Sequence, residues 1–398
     1  MENIDWAFVE ANLKASPSAL RLKYHGKGRE LEITQVECRQ KFAKKLAETL
    51  ADHPHLIFPS VLAGEQSTSD ALACLHAGLV TNSPSAEAAC GLPSAIDLTA
   101  GLGIDASHLA GRFRVTALEL DPAKAEALRL NFGDILCVEQ ADCREFVSAY
   151  DGQPFDVAFI DPARRTADGG RAFALADCQP DVVAMLPALR HMARTLIVKV
   201  SPMLDITALA SALPGTRRVI AYGTATECKE LVAAVDLQVQ DHPLTIEAVT
   251  VGRCSISFTP AEEREAKATI ADSIEAGMRL YEPYPATMKA APFNLLSERW
   301  DVLKLHPNTH LYVSTTPVDG FPGEEYVIEK VVPYESKHIK RLRREYPAIQ
   351  VTCRNFDMAA EALRRQLAVK DAGPLRLFAA GTPSGRLMLI CRASKITR

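Results

Sequence analysis

Between residues 91 and 258 short apolar runs alternate with helix-like segments, and this rhythm constrains the chain more than any other feature. AIDL (95–98), VTALEL (115–120), ILCVEQ (135–140), FDVAFI (155–160) and TLIVKV (195–200) read as strands. ASHLAGRF, PAKAEALRLNF and PDVVAMLPALRHMA, lying between them, read as helices. Apolar strands that alternate with helices belong to a parallel sheet covered on both faces. The pattern predicts a doubly wound α/β domain. At 398 residues, 47% apolar and 24% charged, the chain has room for two or three domains with sizeable cores.

The flanks read differently. Residues 1–90 form a predicted helical region, with QVECRQKFAKKLAETLAD (35–52) at helical spacing and SDALACLHAGLV (69–80) as a short helix punctuated by Asp70 and Gly78. Residues 259–309 read as a connecting region. In it PAEEREAKATIADSIEAGMRL (260–280) predicts a charged helix, with Thr259 as N-cap, Pro260 behind it and Glu262 closing a capping box. YEPYPATMKAAP (281–292), with three prolines, predicts a linker or extended segment. Residues 310–398 alternate again and end in a hairpin across TPSG, a small α+β domain too short for a second nucleotide-binding fold.

Several classes are disfavoured. No stretch approaches the ~20 apolar residues of a membrane helix. The acidic, amphipathic start MENIDWAFVEANLK is no secretory signal. Ten cysteines are scattered singly without a CxxC, which predicts reduced thiols in a cytoplasmic protein and no metal site. The net charge of −4 hides an asymmetry, because residues 301–398 hold 16 Lys and Arg against 10 Asp and Glu. A basic tail on an acidic body points to an anionic partner.

The run Asp97-Leu98-Thr99-Ala100-Gly101-Leu102-Gly103-Ile104-Asp105 ends an apolar strand in a carboxylate, turns on two glycines and opens a helix. Glycines there let backbone approach a ligand closely. Glu119 ends the next strand about 20 residues on, where a ribose-binding carboxylate belongs. A dinucleotide fingerprint needs a third glycine at 106, where Ala stands.

DLTAGLGID resembles motif I of the class I methyltransferases, ALELDP motif II, EQADCREF motif III and FDVAFIDPAR motif IV, in that order and each at a strand end. The resemblance implies a Rossmann-like fold and S-adenosylmethionine as cofactor. It implies that Asp97 lies near the amino group, that Gly101 and Gly103 pass the ribose and methionine portion, and that Thr99 and Asp105 belong to the same cofactor-binding turn. Glu119 would take both ribose hydroxyls beside Leu120, Asp142 the adenine amino group, and Cys143 would offer its backbone N–H to the ring.

The acceptor would lie against Asp161, Pro162 and Arg164, at the end of the fourth strand. Methyl transfer is an in-line displacement, so alignment and proton removal are the main tasks. Enzymes that methylate base amines carry a second proline and then an aromatic residue, where this chain has Ala163 and Arg164. Arg164 and Arg165 have the fork geometry for phosphate, or for pairing a nearby carboxylate. Lys199 and Ser201 end the fifth strand with no cysteine nucleophile; Cys178 and Cys228 read as structural. Glu227-Cys228-Lys229-Glu230 either lines the pocket or forms a local ion pair.

Over nearly the whole length, including RLKYHGK, FPSVLAGEQSTS, ECKEL and YEPYPATMKAAPF, the chain resembles bacterial methyltransferases with a C-terminal THUMP-like domain. That resemblance implies an RNA substrate, tRNA or rRNA. In the tail Lys337, Lys340, Arg341 and Arg344 share one helix face and form a candidate track for an RNA backbone. The competing reading is a small-molecule or protein methyltransferase whose extra domains shape its pocket.

Overall fold

The computed structural model describes residues 4–79, 92–164 and 174–394. Two compact units emerge: Met1–Val219 with Glu230–Pro243, and Ile220–Lys229 with Leu244–Arg398. Among the described residues no helix is long and apolar enough to cross a membrane.

The first unit opens with α1 (Trp6–Ala11), α2 (Pro17–Lys23), α3 (Glu30–Phe42), α4 (Ala47–Asp52), α5 (Val61–Gln66) and α6 (Asp70–Gly78). The segment 35–52 is thus two helices, separated at Ala43–Leu46. Asp70 accounts for the start of the second. Its buried carboxylate accepts the N–H groups of Glu48 (2.7 Å) and Thr49 (3.1 Å), capping α4 and not its own helix.

The predicted alternation follows: β1 (Ser94–Asp97), α7 (Ile104–Ala110), β2 (Arg114–Glu119), α8 (Pro122–Phe132), β3 (Leu136–Gln140), α9 (Cys143–Ala149) and β4 (Phe155–Ile160). A two-residue pair, β5 (Ala163–Arg164) and β6 (Cys178–Gln179), precedes α10 (Val182–Met192), β7 (Ala193–Val200), α11 (Ile206–Ala212), β8 (Thr216–Gly223) and β9 (Cys228–Asp236). The strand order is β8-β9-β7-β4-β1-β2-β3. Strands β1, β2, β3, β4 and β7 run parallel, and β9 runs antiparallel to β7. Winding reverses between β1 and β4, so the crevice of a doubly wound sheet opens at their carboxyl ends.

The N-terminal helices are built into this unit. The Asn131 side chain of α8 accepts the Ile57 N–H (2.7 Å) and donates to the Ile57 carbonyl (2.9 Å), while Gln35 makes the same two-way clamp on Phe58. Ala127 of α8 packs in one apolar cluster with Val9, Leu20, Ile33 and Val36.

The second unit contains the hairpin β10 (Thr245–Thr250) and β11 (Cys254–Phe258), then α12 (Pro260–Glu265), β12 (Arg279–Pro283), α13 (Pro285–Ala290), α14 (Phe293–Arg299), β13 (Leu303–His306) and β14 (Thr309–Ser314). It continues with β15 (Gly323–Pro333), α15 (Ser336–Glu345), β16 (Gln350–Arg354), α16 (Ala360–Leu367), β17 (Leu375–Thr382) and β18 (Gly385–Ala393). A seven-stranded sheet runs β13-β14-β12-β15-β18-β17-β16.

Two expectations for residues 259–309 are corrected here. The capping box of Thr259 and Glu262 is present, but the helix stops at Glu265 and not near 280. Downstream N–H groups find partners elsewhere: Lys267 donates to the Glu298 carboxylate (3.0 Å) and Thr269 to the Ser297 hydroxyl (3.2 Å). The proline-rich segment is no linker: the extended alternative holds as far as Pro283, and a helix follows. β12 pairs with both β14 and β15, with Tyr281 buried, and Pro285 opens α13 at a position where its missing N–H costs nothing.

Candidate active site

Four carboxyl-end positions of the first sheet converge because parallel strands deliver their ends to one edge. Asp97 ends β1, Glu119 ends β2, Asp161 follows β4, and Lys199 lies one residue before the end of β7. β9 runs the other way, so Glu230 near its start comes to the same edge, just beyond the Val200–Leu231 pair.

The first turn is held from inside. Asp97 is 1% exposed and accepts the Thr99 N–H (3.0 Å), while the Thr99 hydroxyl accepts the Asp161 N–H (2.8 Å). Thr99 therefore ties the β1 turn to the end of β4. Burial pushes the Asp97 carboxyl up to about 8, against the Thr99 N–H, with the Asp105 carboxylate adding to the rise.

The two glycines differ. Gly101 and Gly103 both have left-handed backbone, with φ of 55° and 88°. A Cβ on Gly103 would stand 2.2 Å from Leu128 Cδ1 of α8, so that glycine serves helix packing. A Cβ on Gly101 would meet nothing nearer than the Thr99 carbonyl at 4.0 Å, so space above it is open. The Gly101 N–H donates to Glu119 Oε2 (2.9 Å), and Glu119 Oε1 accepts the Asp121 N–H (2.8 Å). Beyond Glu119 an open hollow is lined by Leu120, Gln140, Ala141, Asp142, Glu145 and Phe146. Leu120 is 63% exposed there. Asp142 caps α9 by accepting the Arg144 N–H (2.9 Å) and is gripped by the Arg144 guanidinium, which holds its carboxyl below the usual range. Cys143 begins α9 with its thiol buried and its pKa pushed up to about 11 by that burial. An adenosyl group with a ribose diol fits this chain of features: open space over Gly101, a carboxylate at Glu119 and a partly apolar hollow past it.

On the other side of Asp97 lies a buried charge cluster. Lys199 Nζ sits 2.6 Å from Asp161 Oδ2, 3.7 Å from Asp105 Oδ2 and donates to the Thr68 hydroxyl (2.8 Å). Thr68 in turn donates to Asp105. His76 of α6 bridges Asp105 through Nδ1 (2.7 Å) and Glu230 through Nε2 (2.6 Å). Burial alone would push the His76 ring down, but the two carboxylates outweigh it and raise its pKa to about 9. The same neighbours hold Asp105 below the usual carboxylate range despite its burial, and its partners raise Lys199 above the ordinary lysine value. Asp161, its side chain 36% exposed, is pushed up by burial and pulled back by Lys199.

The expected residues thus separate. Asp97, Thr99, Gly101, Glu119, Leu120 and Asp142 border the turn and the hollow. Asp105 and Lys199 are 9% and 8% exposed and meet in the buried charge cluster. Pro162 is buried, and Arg164 lies in β5 opposite Cys178. Arg165 falls outside the described residues. Ser201 accepts the Met203 N–H (3.2 Å) just past β7. Cys178 is buried, and the Cys228 thiol donates to the Tyr222 carbonyl (3.5 Å). Thr68, in a polar turn, and His76, in an apolar helical segment, had no local signal of this role, because their partners are distant in sequence. Among the described residues no three His, Cys, Asp or Glu are arranged to hold a metal.

In the tail, α15 exposes Lys337, Lys340, Arg341 and Arg344 along a shallow groove with Glu345. Lys337 pairs with Glu335 (2.7 Å) and Arg341 lies 3.6 Å from Glu345. Lys340 and Arg344 have no ion-pair partner among the described residues.

A ferredoxin-like domain family matches residues 280–322, and a THUMP domain-like family matches residues 323–393. Across 99% of this chain and 100% of the other, the fold matches the crystal structure of a "putative methyltransferase" from Porphyromonas gingivalis W83, with a TM-score of 0.83 and 26% identity. A SAM-dependent methyltransferase of Neisseria gonorrhoeae matches over 49% of this chain and 74% of its own, at 20% identity and a TM-score of 0.30. The 16S rRNA N2 G1207 methyltransferase of Thermus thermophilus ("T. Thermophilus") matches over 43% of each chain, at 18% identity and a TM-score of 0.31. No curated protein matches this chain. The whole-length match and the sheet order place the chain in the Rossmann-like methyltransferase class. Its tail carries a ferredoxin-like and a THUMP-like domain, and the β12–β15 pairing joins them in one sheet.

Proposed function

We propose that this methyltransferase uses S-adenosylmethionine to methylate RNA, tRNA or rRNA, with Asp161 beside the acceptor. The carrying observation is the convergence of Asp97, Glu119 and Asp161 on one sheet edge around the open turn at Gly101. Counting His76 and Lys199 as cations and Asp105, Glu230 and Asp161 as carboxylates, that edge is net negative, which suits a sulfonium and an ammonium. Bound there, the sulfonium supplies an activated methyl group. Glu119 would hold the ribose, the hollow beyond it the adenine, and Asp97 would lie toward the amino acid head.

RNA as substrate is favoured by the THUMP-like match and by the basic face of α15, where Lys340 and Arg344 are unpaired among the described residues. Phosphate contacts of this kind dominate RNA affinity and make it salt-dependent. The test is transfer of tritiated methyl from S-adenosylmethionine to separate RNA, protein and metabolite fractions, beside calorimetry with S-adenosylhomocysteine. One binding site per chain and label in RNA are expected. Heat from NAD but not from S-adenosylhomocysteine would overturn the cofactor, and label confined to protein or metabolites would overturn RNA.

A further inference from the structure

We propose that Lys199 is the positioning residue for Asp161, and that Thr68 and the Asp105–His76–Glu230 chain hold Lys199 in place for that purpose. The proposal rests on the reading of Asp161 as the acceptor-side carboxylate and deepens it: the acceptor is an N–H or O–H group whose proton Asp161 receives.

The geometry favours a device over a chance ion pair. A single ammonium reaches Asp161 Oδ2 at 2.6 Å and the Thr68 hydroxyl at 2.8 Å, with Asp105 Oδ2 at 3.7 Å. Lys199 is 8% exposed, and among the described residues its ammonium meets these three partners at close range. Both Asp105 oxygens are already engaged, Oδ2 by the Thr68 hydroxyl and Oδ1 by His76 at 2.7 Å, so the ammonium stays closer to Asp161 and Thr68. His76 is fixed in turn by Glu230 at 2.6 Å. Every link comes from a different element: α6 and the turn before it, α7, β7, β9 and the end of β4. Such a cluster is a poor source of stability, since burying charges costs about what their pairing returns. Its return here is orientation.

The chemistry requires it. When a protonated acceptor takes a methyl group, its lone pair forms the new bond to carbon, the carbon–sulfur pair returns to sulfur, and one proton must leave. Asp161 can receive that proton only while ionised, and pass it to water across its exposed third. Burial and the nearby carboxylates of Asp105 and Glu230 all favour the protonated, inactive form. Lys199 is the cation in contact with it. His76 stands behind Asp105 and Glu230.

Isotope-edited infrared titration of the full chain, with 13C-labelled aspartate, tests this without any substrate. The Asp161 carboxyl band is the one lost in Asp161→Asn. In Lys199→Gln, which keeps a hydrogen-bonding side chain and loses the charge, the Asp161 midpoint should rise by about 1–3 pH units. Lys199→Arg should leave it near the wild-type value. Where Lys199→Gln fails to fold, Asp105→Asn with Lys199→Gln removes one charge of each sign and should still raise the midpoint. An unchanged midpoint in the folded variant overturns the proposal. Label transfer to undermodified total RNA should show its acidic limb moving by the same amount. Wild-type protein that labels no RNA would overturn the RNA reading alone, while the infrared midpoints still decide the role of Lys199.

Discussion

Gly101 and Gly103, two residues apart in one turn, make opposite demands. Gly103→Ala drives a Cβ to 2.2 Å from Leu128 in a left-handed conformation, and should cost about 1–3 kcal/mol through forced repacking. Gly101→Ala meets open space, so its cost is the left-handed backbone alone, about 1–2 kcal/mol. Its methyl would nonetheless intrude where the cofactor passes. Thermal melts beside S-adenosylhomocysteine calorimetry separate the two: the first should lower Tm more, the second should lose affinity out of proportion to Tm. Glu119→Ala removes the acceptor for Gly101 and Asp121 as well as for a ribose. Affinity should fall by about 1–3 kcal/mol. Unchanged affinity would place the ribose elsewhere.

Helix α6 shows how an element acquires a role its own sequence does not announce. By composition it is an apolar helix, yet it carries His76 between two carboxylates of α7 and β9. The folded His76 pKa of about 9 lies above its ordinary 6.5. A raised pKa contributes stability that is complete below about 6.5 and is lost as pH rises through about 9. Melting temperature should therefore decline across that window, and His76→Gln should flatten the decline. His76→Leu removes the bridge between Asp105 and Glu230 and leaves Lys199 as the nearby cation, at a cost of about 3–5 kcal/mol. A Tm profile identical to wild type in both variants would show the ring to be neutral in the fold.

At the scale of the whole molecule the charge asymmetry becomes a division of labour. The net-negative sheet edge belongs to the first unit and the basic face of α15 to the second. Reversing Lys340, Arg341 and Arg344 to Glu should weaken RNA binding and reduce its salt slope by up to about 3, while S-adenosylhomocysteine affinity stays the same. An unaltered slope would make α15 an ordinary solvated face. The units also interleave along the chain, since Ile220–Lys229 belongs to the second and Glu230–Pro243 to the first.

The alternating sheet, the turn of Asp97, Gly101 and Gly103, Glu119 at the end of β2 and the tail strands and helices are all legible in the chain. Those are local: apolar runs, glycines and caps act over a few residues, where periodicity and turn chemistry decide the outcome. Tertiary structure decided the rest. It ended α12 at Glu265, because α14 supplied partners for the following N–H groups. It turned a proline-rich stretch into the buried strand β12, because β14 and β15 flank it. It also took Asp105 and Lys199 inward, to meet Thr68, His76 and Glu230. Glu230 lies 154 residues from His76, and no pattern within a sequence window reports which charges the fold will bury against one another.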